Sequence, residues 1–223
     1  PERIGSVLPY SSETEAAPAW RVVEKTSSPT ISVSQLGYEP PRKARKLVEK
    51  GDRAAENGDR EGAIALLRQA LEQAPDYLDA RLRLGLQLAA LDRAPEAIEQ
   101  LQTVLRQDPK CRSALLTLGI LNLRSGNPKA AQWYADRALA LERDSRALFL
   151  QALILAERKG GEAEALVALR KVAGERPQAR IIAAGILERL GDRGGMVSEL
   201  EQYLQSGASF RRDEVRRWLE SLR

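Results

Sequence analysis

Apolar residues recur along most of the chain at three- and four-residue intervals, the spacing that aligns them on one side of a helix. The stretch "LRLGLQLAALDRAPEAIEQL", residues 82–101, holds two such runs joined by Asp92-Arg93-Ala94-Pro95. Proline costs a helix interior a hydrogen bond, whereas a first helical turn accepts it. The stretch therefore predicts two helices folded back on each other over a very short turn. Thr30–Leu36 alternates apolar and polar residues instead, which predicts an extended segment with one apolar face.

The hairpin pattern repeats. Gly51, Gly85 and Gly119 are 34 residues apart, and Ala63, Ala97, Ala131 and Ala165 keep that step three times. Leu67, Leu101 and Leu169 share a phase with Ala135 between them, and Pro75, Pro109 and Pro177 share another with Arg143 in the open slot. Small residues at fixed positions suit helices that cross closely. The residue before each proline is biased out of helical geometry, which ends the unit. A single hairpin cannot bury both of its faces, but a stack of hairpins can.

A two-helix unit of this period resembles the tetratricopeptide repeat family. The small-residue and proline slots of that family are matched by Gly51, Ala63, Ala70 and Pro75, then by Gly85, Ala97 and Pro109, then by Gly119, Ala131 and Ala138. A fourth unit has Leu153 in the glycine slot but keeps Ala165 and Pro177. A fifth is readable from about Arg180 if three residues are deleted from its first helix, which brings Met196, Leu200 and Tyr203 into phase. The resemblance implies an all-α fold, a right-handed superhelical stack of tetratricopeptide hairpins (an α-solenoid). Its units are expected over 44–77, 78–111, 112–145, 146–179 and a degenerate 180–207, within a repeat region of 41–207.

The flanks differ in kind. Residues 1–40 carry five prolines, seven serines, three threonines and a net charge of −2, the composition of a tail or linker. Trp20, Val22, Val23, Ile31, Val33 and Leu36 are too apolar for a purely solvated linker, so part of 19–38 is expected to pack on the repeats. Docking in cis, or exchange between two chains to make a homodimer, are both compatible with the short linker through Pro40-Pro41. Residues 208–223 predict a capping helix, with Phe210, Val215, Trp218, Leu219 and Leu222 on the covering side. The junction Ile31–Gly51 resembles those preceding repeat arrays in large exported bacterial proteins. It implies a repeat segment of such a protein in a periplasmic or exported setting, and the Pro-Glu-Arg start agrees with a processed or excised piece.

Composition removes most chemistry. The chain has no histidine and one cysteine, Cys111, which excludes histidine triads, histidine metal ligands and an internal disulfide. Its 35 basic and 31 acidic residues are interspersed, so the net +4 describes mixed helix surfaces rather than a nucleic-acid stripe. Gly160-Gly161 and Gly191–Gly195 lack the Lys-Ser/Thr of a phosphate loop and occur where the repeat places its turns. No apolar run approaches the length of a membrane span, so direct membrane insertion is not expected. No catalytic residue, metal or cofactor is expected.

What remains is the groove. The resemblance implies that the first helix of each unit lines a concave surface, with its fifth and ninth residues pointing inward. From Leu78, Arg112 and Arg146 as first positions, these are Leu82 and Leu86, Leu116 and Ile120, and Leu150 and Ile154; Leu123 lies one turn further on. Arg83, Arg124, Gln151 and Arg158 are expected on the rim, and Trp133 on an outer helix is a weaker candidate contact. The chaperone-tail clamp of the family needs Lys, Asn and Arg, but its slots hold Val48, Asp52, Arg83, Ser113 and Thr117, of which Arg83 alone grips an anion. The expected function is therefore a non-enzymatic interaction or scaffold module for an extended, partly apolar peptide. Plain packing of the groove, its own or a neighbour's tail, and an external peptide stay open as occupants. A helical-repeat nucleic-acid binder is the rival class, disfavoured by the apolar row.

Overall fold

A computed structural model describes residues 38–222; the expectations for Trp20, Val22, Val23, Ile31, Val33 and Leu36, and for tail docking or exchange, lie outside them. The described residues hold eleven helices and no strand, and form two compact units divided after Ser125.

The first unit contains α1 (Arg42–Glu56), α2 (Arg60–Gln73), α3 (Leu78–Ala90), α4 (Ala94–Gln107) and α5 (Arg112–Arg124). Each helix packs on the next, and α3 also meets α5, the pattern of stacked hairpins. The small slots matter physically. A Cβ built on Gly85 would lie 2.7 Å from Cγ of Leu101, which is itself fully buried, so only glycine lets α4 approach this closely. Pro95 sits in the first turn of α4, as the opening stretch required. Ala63, Leu67, Ala97, Leu101 and Val104 are all buried at the helix crossings.

The second unit contains α6 (Pro128–Leu141), α7 (Ser145–Glu157), α8 (Glu162–Val172), α9 (Gln178–Arg189), α10 (Arg193–Gln205) and α11 (Arg212–Ser221), again each packed on its neighbour. Asp144 and Asp192 cap α7 and α10 by accepting backbone N–H groups. Val215 and Leu219 of α11 are buried against α10, and the Tyr203 hydroxyl donates to the Phe210 carbonyl beneath them. Glu199 on α10 is only 3% exposed, yet charged, and holds Arg170 Nε at 2.6 Å and Arg180 Nη1 at 2.9 Å.

The turns that Gly160 and Gly191 were expected to fill belong to a periodic left-handed slot. Gly58, Asp92, Gly126 and Gly160 have φ of 85°, 62°, 75° and 75° and lie 34 residues apart. The next such residue, Gly191 at φ 73°, comes 31 later, three short. Leu169 and Pro177 still keep the 34-residue phase, so the shortfall lies between Pro177 and Gly191, the stretch that holds α9, which has 12 residues where α3, α5 and α7 have 13.

Candidate functional site

The candidate surface of the first unit is built from α1, α3 and α5. Arg83 on α3 reaches Asp52 on α1 at 2.7 Å and Asp79 on its own helix at 2.8 Å. Burial opposes the Arg83 charge, but the two carboxylates outweigh it and hold the guanidinium above its ordinary range. Burial likewise pushes the Asp52 carboxyl up, against the pull of Arg83. One oxygen of Asp79, Oδ1, is buried without a hydrogen-bond partner. Arg83 thus neutralises its own protein's acids and is not a spare anion grip.

Around this network lies the apolar row. Leu82 and Leu116 are 8% and 6% exposed and serve mainly as its floor, while Leu86, Ile120 and Leu123 are half-buried and offer apolar atoms to solvent. Arg124 at the end of α5 pairs with Asp92 in the α3–α4 turn at 2.8 Å. Thr117, beside them, turns its hydroxyl back to the Ser113 carbonyl.

The remaining candidates lie in the second unit. Leu150 is 1% exposed, so its side chain is core; Ile154 is buried too, and Gln151 is half-buried. Arg158 caps α7 and is paired with Glu164 at 2.6 Å. Trp133 on α6 is half-exposed with the Arg137 guanidinium 4.7 Å from its ring centre.

Sequence reading missed that the rim arginines come already paired. The signal was present: Arg83–Asp52, Arg93–Glu61 and Arg124–Asp92 join opposite charges 31 or 32 residues apart, close to one repeat. Charges at that interval face each other across stacked helices, just as residues four apart do within one. Among the described residues no cluster of acids and cysteine is arranged for a metal, and no helix is long and apolar enough to cross a membrane. Burial pushes the Cys111 thiol up to about 11, where it stays protonated at neutral pH.

Residues 54–118 match the family described as "Tetratricopeptide repeat". The fold resembles TTC0263, a thermophilic tetratricopeptide protein of Thermus thermophilus, with TM-score 0.68 and 16% identity over 80% of this chain and 98% of that one. It also resembles PilW, a type IV pilus biogenesis factor, with TM-score 0.64 and 19% identity over 74% of this chain and 78% of that one. A third likeness is YrrB, a tetratricopeptide protein with an unusual peptide-binding site, with TM-score 0.53 and 22% identity over 74% and 86% of the two chains. No curated protein matches the chain.

Proposed function

We propose that this chain, which has the tetratricopeptide-repeat fold, is a non-catalytic interaction module that binds an extended, partly apolar peptide along α3 and α5. The observation that carries the reading is the half-buried row Leu86, Ile120 and Leu123, bordered by arginines whose charge is already spent on Asp52, Asp79 and Asp92. Such a surface rewards apolar side chains and gives little to a terminal carboxylate. YrrB supports the class of reading, since it pairs this fold with a peptide site. The family is one of protein-interaction scaffolds, which supports the absence of catalysis. Neither a nucleic acid nor direct membrane insertion is part of the proposal.

The test is selection of displayed random peptides on the immobilised full chain. Enriched peptides should alternate apolar and polar residues, and should bind Leu86→Glu and Ile120→Glu at least about tenfold more weakly. Peptides that bind both variants like the parent protein end the proposal.

A second reading rests on Tyr38, whose ring centre lies 6.5 Å from that of Tyr77 at the start of α3. Tyr38 is thereby joined to the first unit, and a tether from that point gives an attached segment an effective concentration of roughly millimolar. Under that reading the row holds the chain's own or a neighbour's tail. Trp20→Ser with Ile31→Ser should then unmask peptide binding or dissolve a dimer seen by light scattering. An exported bacterial setting is likewise proposed from the Ile31–Gly51 junction, and cell fractionation of the parent protein tests it.

A further inference from the structure

The opening face of α1 breaks the repeat's own rule. Lys46 and Lys50 stand where the next unit has Ala80 and Leu84, since each pair is 34 residues apart. Ala80 and Leu84 are 0% and 3% exposed because α3 packs on the preceding helix α2. The corresponding face of α1 carries lysines instead, and Lys43, Lys46 and Lys50 are all exposed. An apolar hairpin stacked there would strand three charges, so the face is not built for one more copy of the repeat.

Its local electrostatics are unbalanced. Arg42, Lys43 and Arg45 crowd the first turn of α1, which has no acidic residue, at the end of the helix where the dipole is already positive. Arg45 meets Glu39, but none of the three lysines makes an ion pair among the described residues. The paired rim arginines of α3 and α5 are the opposite case. Between the lysines lies a depression of about 240 Å³, lined by Lys43, Lys46, Leu47, Lys50 and Gln73. Leu47 is half-buried and gives it an apolar floor. The lining is almost wholly apolar, Leu47 and lysine stems, while the exposed lysines set positive charge around it, and that combination is complementary to a large apolar side chain flanked by carboxylates.

We propose that this α1–α2 end face is a second docking surface, and that its occupant is an acidic peptide segment of a partner protein with one apolar anchor. The carboxylates answer Lys43, Lys46 and Lys50, and the anchor covers Leu47. The apolar floor is what separates this partner from a membrane or an RNA, which the lysines alone would attract through phosphate.

The experiment is a fluorescence-anisotropy titration of the full chain with a labelled peptide holding Glu-Glu-Leu-Glu-Glu. A matched peptide with glycine for leucine, phosphatidylserine vesicles and poly(U) serve as comparisons. The leucine peptide should bind, weaken as NaCl is raised, and lose at least about tenfold in affinity with Lys43→Glu, Lys46→Glu and Lys50→Glu combined. Lys46→Glu alone should cost about threefold, and the same reversal at Lys110, Lys129 and Lys171 should leave affinity within about twofold. Circular dichroism of each variant should remain helical, since all the altered side chains are exposed. The glycine peptide should bind at least about fivefold more weakly. The proposal fails if the leucine peptide does not bind or binds the triple variant unchanged. It also fails if glycine and leucine peptides bind alike, or if only vesicles or poly(U) depend on the three lysines. Tighter peptide binding on Glu13→Gln, Glu15→Gln and Glu24→Gln in the full chain would show that the upstream residues hold the face, and would overturn the assignment to a partner.

Discussion

Gln100 and Glu199 do the same job in the two units with different chemistry. Arg81 Nη1 donates to Gln100 Oε1 at 2.9 Å, and Arg180 Nη1 donates to Glu199 Oε2 at 2.9 Å. The two pairs are 99 residues apart, three periods of 34 less the three-residue shortfall. In the first unit the acceptor is a neutral amide, half-buried. In the second it is a carboxylate sealed from solvent, and a further arginine, Arg170, closes on its other oxygen. The second unit is also where the repeat's small-residue logic lapses, with Leu153 in the slot that Gly85 occupies in the first. At these matching positions the first unit uses close helix approach and a modest neutral contact, and the second a buried ionic cluster.

The largest way to break this contrast is Glu199→Ala. It leaves Arg180 facing a void, and removing one partner of a buried ion pair costs about 3 kcal/mol, at the low end of the usual range because Arg170 returns to water. Urea denaturation should show the loss in the transition of the second unit. Gly85→Ala is the matching insult to the first unit: the new methyl meets Leu101, for about 2 kcal/mol of overpacking that the helix propensity of alanine offsets only in part. Gln100→Ala removes a half-exposed neutral contact and should cost about 1 kcal/mol, clearly less than Glu199→Ala. If the two acceptors prove equal, the contrast between the units is wrong.

At neutral pH the first unit should show no effect of its thiol, and a pH dependence is expected only under alkaline conditions. The Cys111 thiol keeps its proton to about 11 when folded, chiefly because it is buried, against about 9 for an ordinary thiol. Between these values the unfolded chain has released a proton that the folded chain retains, so stability should fall as pH rises through that window. Cys111→Ser should flatten this slope while leaving the neutral-pH midpoint nearly unchanged.

The periodic part of the fold was legible because small residues and prolines are repeated, and a repeated constraint declares itself. Gly85, Ala97 and Pro109 mark close helix crossings and a unit end wherever they occur. The left-handed turn slot was less legible because Asp92 fills it once, where glycine would have completed the series. The apolar row was readable as a row, but not how far each member is buried. Leu150 and Ile120 share the apolar pattern yet differ in exposure, since burial depends on neighbours that periodicity does not weigh. Asp52 as partner of Arg83 and Asp92 as partner of Arg124 were hidden because these pairs act across helices, about one repeat apart, whereas Asp79 was in reach of Arg83 by the ordinary four-residue spacing. The lysine face of α1 was hidden for a related reason: it becomes unusual only when compared, position by position, with Ala80 and Leu84.

The central claim, that peptide recognition belongs to the α3–α5 side, is tested most directly by placing one charge on each of two rival faces. A peptide selected on the parent protein should be titrated by anisotropy against Ile120→Glu and against Trp133→Glu, whose side chain is half-exposed on α6. Recognition on α3 and α5 predicts a loss of at least about tenfold for Ile120→Glu and less than about twofold for Trp133→Glu. The reverse order would contradict it and move recognition to the outer helices.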